Sequence, residues 1–146
     1  MRHTAAWLQE AGRPAEFIVG LQPTSPFRQA ADIDACLHLI RTTGCDACYT
    51  VSPLDFPPEW TLDLDGDRVR LWREEFAPIF SVPRQQLPAH YRQNGAVEVY
   101  RSKILLERNE LYGKDVRAVV MSARDSLDID TPLDLEMARV LIAKLV

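Results

Sequence analysis

The sequence predicts a single α/β domain built on a mainly parallel sheet, and three observations carry that reading. Residues 16–51 run strand, loop, helix, strand, a βαβ pattern whose crossover is right-handed because a twisted strand packs back onto its sheet only that way. The runs Phe17-Ile18-Val19-Gly20-Leu21 and Arg117-Ala118-Val119-Val120-Met121 lack polar alternation, which suits strands covered on both faces, as parallel strands are. With 47% hydrophobic and 26% charged residues over 146 positions, the chain has ordinary globular composition and can bury a core without disulfide or metal staples.

The elements follow in order. Trp7, Leu8 and Ala11 share one face of a helix over residues 4–11, and Gly12 stops it. The strand at 16–21 gives way to Pro23 and Pro26, which forbid both helix and ladder, so residues 22–28 form a shaped loop at its carboxyl end. Ile33, Cys36, Leu37 and Ile40 mark a helix over 30–42; Gly44 ends it, and 47–51 is the second strand. Pro53, Pro57 and Pro58 place a surface loop. Residues 60–64 and 69–72 then alternate around an Asp65-Gly66 turn, a hairpin signal. Residues 77–88 are irregular, 95–100 a strand, 102–108 a short helix and 117–121 another buried strand. Thr131 caps the last helix, with Pro132 in its first turn where a missing N–H costs nothing. Leu133, Met137, Val140 and Leu141 give that helix its apolar face, and Leu145 extends it by a turn. No repeat, low-complexity tract or linker interrupts residues 1–146.

Seventeen Lys plus Arg against 21 Asp plus Glu give a net charge of −4, without the basic stripe that a nucleic-acid backbone demands. No apolar run approaches the roughly 18 residues that span a bilayer, and the start, Met-Arg-His-Thr, lacks a signal-peptide stretch. A cytoplasmic protein is expected, with neither a nucleic-acid nor a membrane partner. Cys36, Cys45 and Cys48 are odd in number, which disfavours a disulfide framework. Cys45-Asp46-Ala47-Cys48 has no further ligands at zinc spacing, and it leads into a strand rather than opening a helix that would activate a thiol. Buried structural cysteines are the expectation.

Three polar clusters follow strands, where open α/β sheets bind ligands. In Gln22-Pro23-Thr24-Ser25-Pro26-Phe27-Arg28 the prolines freeze the loop, so Gln22, Thr24 and Ser25 either present fixed donors and acceptors or cap the following helix. In Pro83-Arg84-Gln85-Gln86-Leu87-Pro88, Arg84 offers a planar fork for a carboxylate or phosphate, or is a solvated surface arginine. Asn94-Gly95 further on permits a close backbone approach. In Ser126-Leu127-Asp128-Ile129-Asp130-Thr131, Asp128 and Asp130 share one face of an extended segment. Their mutual repulsion is relieved by a hard cation such as Mg²⁺ with substrate phosphates, or the pair serves the helix cap instead.

Taken in order, with Asp32-Ile33 after the first cluster and Trp60 after a proline-rich loop, these motifs resemble the acylneuraminate cytidylyltransferase family, the CMP-sialic acid synthetases, from about residue 16 to 138. The resemblance implies a Rossmann-like three-layer nucleotidyltransferase fold. It also implies a reaction in which the anomeric hydroxyl of a nine-carbon 2-keto sugar acid attacks the α-phosphate of CTP, giving a CMP-sugar and pyrophosphate with Mg²⁺ as cofactor. Asp128 and Asp130 match the family's metal-holding aspartates. Arg84 matches an arginine at the carboxylate or the reacting centre, Gln22 a sugar contact and Asn94 a substrate contact. Thr24, Ser25 and Gln85 complete the expected substrate-binding set. The resemblance further implies a homodimer, with residues 101–116 reaching into the partner through Leu105, Leu106, Leu111 and Tyr112; a satellite core cluster explains those side chains equally well.

The family's glycine-rich, basic nucleotide loop has no counterpart here, so the expectation is an N-terminally truncated member whose fold is incomplete at that end and whose isolated chain is inactive. Glu98 also stands where the family carries an apolar residue or tyrosine. A non-catalytic dimerising remnant of the family and a KDO cytidylyltransferase are the competing readings.

Overall fold

A computed structural model describes residues 1–108 and 112–144. The chain divides into two compact units, one formed by Met1–Ser52 with Gln93–Val146 and the other by Pro53–Arg92, where the sequence reads as one domain.

The first unit holds helix α1 (Arg2–Glu10), strand β1 (Phe17–Gly20), helix α2 (Ala30–Thr43) and most of β2 (Ala47–Pro53). After the second unit come β5 (Tyr91–Arg101), α3 (Ser102–Glu107), β6 (Val116–Val120) and α4 (Pro132–Ala143). The sheet order is β1-β5-β2-β6. β6 pairs parallel with β2, from Ala47 opposite Val116 to Val51 opposite Val120, whereas β5 pairs antiparallel with β1, Phe17 opposite Arg101. Hydrogen bonds tying Arg101 to Asp46 and Val97 to Thr50 run in opposite order along the two strands, so β5 also runs against β2. The sheet is therefore mixed: β1, β2 and β6 share one direction and β5 is wedged among them. The expected βαβ neighbours β1 and β2 are separated, since an eleven-residue strand formed much later in sequence takes the place between them.

Side-chain alternation along the strands makes three layers. Cys36 and Ile40 of α2 pack with Cys48, Val97 and Val99 on one face, joined by Phe17 and Val19. Ala5 of α1 and Leu105 of α3 pack with Ile18, Ala47 and Tyr100 on the other. Gly44 adopts φ +75° and ends α2 as the sequence predicts. Arg101 secures that terminus, donating from Nε to the Cys45 carbonyl and from Nη2 to that of Ile40, both at 2.8 Å. All three cysteines are free and buried. A hydrogen bond to Cys48 and burial push the Cys36 thiol up, so it stays protonated in the core.

Several apolar faces stand differently from the sequence expectation. Trp7 is 55% exposed, and Ala5 is the buried residue of α1. Strand β6, expected to be buried, is largely exposed because it ends the sheet. On α4 only Ala138 is buried; Leu133 and Val140 are 63% and 57% exposed. Leu105 and Leu106, expected as anchors to a partner subunit, belong to the internal core, while Tyr112 stacks edge-on against Tyr49 at 5.3 Å. Leu111 and Leu145 lie outside the described residues.

Asp46 joins β2 to the turn before β6: its carboxylate accepts the backbone N–H groups of Lys114 and Asp115 at 2.7 and 3.2 Å. Those N–H groups hold its pKa below the usual carboxylate range. A depressed folded pKa gives stability that is present above the unfolded value and lost as pH falls through the folded one. Asp46→Asn is therefore expected to lower the urea midpoint at pH 7, with the deficit shrinking below about pH 4. A deficit equal at pH 7 and pH 3 would deny the carboxylate this role.

The second unit contains a 3₁₀ turn (Pro58–Trp60), the hairpin β3 (Leu62–Asp65) and β4 (Arg68–Leu71), and further 3₁₀ turns at Glu74–Ile79 and Arg84–Gln86. Asp65 faces Arg68 in the hairpin register. The two-residue turn is thus Gly66-Asp67, one position later than the sequence suggests, with Gly66 at φ +63°.

Candidate active site

The first unit gathers three sequence motifs around one buried side chain. Asn94 is 2% exposed. Its Oδ1 accepts from Thr50 Oγ1 at 2.7 Å and from the Ala96 N–H at 3.2 Å, and its Nδ2 donates to Ser126 Oγ at 2.8 Å. Nδ2 also contacts Met121 Sδ at 3.4 Å. Strand β2, strand β5 and the segment after β6 are thereby tied together at the carboxyl ends of the co-directional strands. The resemblance assigns Asn94 a substrate contact, but its amide is spent inside the protein. In this structure Asn94 holds the site's walls rather than lining it.

The loop at 22–28 is strapped to the same place. Arg28 donates from Nη1 to the carbonyls of Gln22 and Ala96 at 3.0 and 2.9 Å, and the Ile129 N–H donates to the Thr24 carbonyl at 2.9 Å. The Gln22 side chain lies directly over Gly95, where an added Cβ would come within 2.6 Å of Oε1, and Gly95 has φ +69°. The positive φ is what calls for glycine there; the Gln22 amide end, on an exposed side chain, could swing aside from a Cβ. Gln22 is exposed, Thr24 half-buried and Ser25 buried with an unpartnered Oγ. Glu98, in strand β5, accepts from the Tyr100 hydroxyl at 3.0 Å and from Gln93 Nε2, so its carboxylate is partnered within the strand.

Both capping alternatives left open by the sequence are resolved. Helix α2 is closed by Gln29 and Asp32, with the Gln29 N–H donating to Asp32 Oδ2 at 2.8 Å; Thr24 and Ser25 take no part. Helix α4 is closed by Thr131 and Asp134, whose Oδ2 accepts from the Thr131 N–H at 2.7 Å, from its hydroxyl at 2.8 Å and from the Asp130 N–H at 3.2 Å. The Thr131 hydroxyl and N–H hold the Asp134 pKa down. The carboxylates of Asp128 and Asp130 are therefore free of the cap. Asp130 is exposed, and Asp128 Oδ1 is buried without a hydrogen-bond partner. A buried carboxylate oxygen left unpaired is costly unless another group completes it.

That oxygen is the observation against which a cation is tested. Among the described residues no group of three or more His, Cys, Asp or Glu could hold a metal, so they offer no all-protein cage. Mg²⁺, however, is commonly bound by one or two carboxylates together with substrate phosphates and water. Asp128 and Asp130 fit that incomplete set.

The second unit carries Arg84 and Gln85 in its Arg84–Gln86 turn, both exposed. A cavity of about 230 Å³ is lined there by Arg84 and His90 between Pro53, Pro57 and Pro88. The single hydrogen bond of Arg84 among the described residues goes from Nη2 to the Leu54 carbonyl at 3.5 Å, a weak contact. Its fork remains available.

No protein-family model matches the sequence. Over 115 residues it is 30% identical to a CMP-N,N'-diacetyllegionaminic acid synthase of Legionella pneumophila, covering 78% of this chain and 48% of that one. It is 29% identical over 119 residues to an N-acylneuraminate cytidylyltransferase of Escherichia coli, covering 81% and 28%. The chain is a distant relative of the acylneuraminate cytidylyltransferases. It spans about half, or less, of the length of these relatives. The fold agrees with a solved CMP:2-keto-3-deoxy-manno-octonic acid synthetase complexed with CTP, at a TM-score of 0.64 and 14% identity, over 98% of this chain and 67% of that one. Within this cytidylyltransferase relative, sequence reasoning gave no role to Arg28, Ser126 or Asp134. Their contacts are made across the fold or within a single helical turn, and the one available local signal was Asp134 three residues after Thr131, the spacing of a reciprocal cap.

Proposed function

We propose that the chain carries the sugar-acid and metal-holding parts of a CTP:nonulosonic acid cytidylyltransferase, a cytoplasmic enzyme that transfers CMP and releases pyrophosphate. The observation that carries the proposal is the unpaired Asp128 Oδ1 beside two motif loops braced at the carboxyl strand ends, in a relative of CMP-sugar acid synthases. Asp128 and Asp130 would hold Mg²⁺, which when bound offsets the negative charge of the CTP phosphates. Gln22, Thr24 and Ser25 present amide and hydroxyl groups from a loop fixed by two prolines and Arg28. Asn94 acts from behind by keeping β2, β5 and the segment that leads to Asp128 in register. Arg84, with Gln85 beside it, would receive the carboxylate of the sugar acid. Transfer to phosphorus depends mainly on positioning and charge stabilisation, which these groups supply without covalent chemistry.

Saturable binding of N-acetylneuraminic acid, followed by calorimetry, is the expected result; no binding of this or any other nonulosonic acid would overturn the reading. Arg84→Lys keeps the charge but loses the fork, so binding should weaken by about 1.5–3 kcal/mol. Affinity within twofold of wild type would return Arg84 to the solvated surface.

The proposal includes a homodimer. Exposed Val116 and Val120 on β6 and Leu133 and Val140 on α4 form apolar surface on the first unit, of the kind that association covers. Sedimentation velocity should show a dimer at micromolar concentration, and a monomer throughout would remove this part.

A further inference from the structure

Glu59, in the Pro58–Trp60 turn, is only 4% exposed. Its Oε1 lies 2.9 Å from His90 Nε2, and its Oε2 is buried with no partner. Its backbone N–H and His90 hold the Glu59 pKa below the usual carboxylate range, so it is ionised at neutral pH and can only accept. Nε2 of His90 must therefore carry a proton and donate to it, and in the neutral ring Nδ1 keeps the lone pair. The His90 backbone is fixed as well, its carbonyl accepting from the Leu54 N–H at 2.9 Å. His90 lines the same cavity as Arg84.

We propose that His90, oriented by Glu59, is a second substrate-reading residue of the Arg84 cavity, its Nδ1 accepting a hydrogen bond from a hydroxyl or amide N–H of the sugar acid. This rests on the cytidylyltransferase reading above. The chemistry suits a polyhydroxylated acid: the arginine fork takes a carboxylate, and a lone-pair nitrogen takes a neutral donor attached to the same molecule. Size agrees, because about 230 Å³ is below the roughly 300–1,000 Å³ of whole-ligand pockets and admits one end of such a sugar rather than a nucleotide. Proline walls keep the opening in shape without further entropy loss. Glu59 is a positioning residue: it acts only through the tautomer and orientation of His90, as carboxylates do behind functional histidines.

The test is N-acetylneuraminic acid binding to the whole chain by calorimetry, with the ring ¹⁵N–¹H spectrum of His90 recorded alongside. The wild-type ring should show the Nε2–H tautomer, and Glu59→Gln should give a mixture with weakened binding. His90→Phe should lose about tenfold in affinity. His90→Asn places an oxygen near the Nδ1 position and should restore most of it, whereas His90→Gln, which mimics Nε2, should not. A merely structural histidine, whose contact to Glu59 is made by Nε2, would be replaced better by Gln than by Asn, the opposite order. An Nδ1–H tautomer in the wild type, or equal binding by wild type and His90→Phe while Arg84→Lys binds more weakly, overturns this inference and leaves the functional reading standing. Failure of the wild type to bind any nonulosonic acid overturns both.

Discussion

Replacing Asn94 with alanine should lower the unfolding free energy by about 3–5 kcal/mol, a loss near the upper end for single substitutions. The side chain joins Thr50, Ala96 and Ser126 in a fully buried network. Alanine would leave the Ala96 N–H and the Ser126 hydroxyl without their partner in a place that water does not reach, and each such group costs roughly 1–3 kcal/mol. Thr50 is partly protected, because its hydroxyl also donates to the Val97 carbonyl at 3.2 Å and accepts from the Val97 N–H at 2.9 Å. Asn94→Asp is the sharper variant: it keeps the acceptor for Thr50 and Ala96 but loses the donor to Ser126 and buries a charge. Urea unfolding with an unchanged slope would measure both. A loss below 1 kcal/mol for Asn94→Ala would show that the network closes around another group, and Asn94 would then be available to substrate as the family resemblance suggests.

The opposite signature is expected at Asp128. Asp128→Asn should weaken Mg²⁺-dependent CTP binding by about 100-fold or more, since even groups one step removed from a metal commonly cost 10–100-fold. Stability should stay level or rise, because Oδ1 is a buried oxygen without a partner and a neutral amide is cheaper to desolvate than a carboxylate. Loss of function with gain of stability is the mark of a group kept for its ligand rather than for its fold. Calorimetric titration of CTP with Mg²⁺ against EDTA, beside a urea curve, reads both halves. Asp134→Asn should do the reverse, loosening the α4 cap through its contacts to Thr131 while leaving metal dependence intact. If Asp128→Asn binds CTP as the wild type does, the paired aspartates are not a metal site.

The sequence by itself determined the features whose causes lie within a few residues. Gly44 ends α2, Thr131 with Pro132 starts α4, and the prolines at 23 and 26 shape the first motif loop. Each is a matter of one backbone angle, one missing donor or one side chain reaching one helical turn. The motif residues were legible too, and they placed Gln22 and Asp128 after strands β1 and β6. Only the tertiary structure decided the rest. An antiparallel β5 between β1 and β2 depends on ladders linking residues about fifty to eighty-five positions apart, and no local periodicity encodes which strand is a neighbour. Burial is likewise a property of what lies opposite. The apolar face of α4 and most of β6 read as core, yet stand exposed on the first unit, while a polar Asn94 is enclosed because three separate segments supply partners for its amide. Hydrophobic patterning states which surface seeks cover, and long-range packing alone determines whether that surface is covered and which polar group is buried with it.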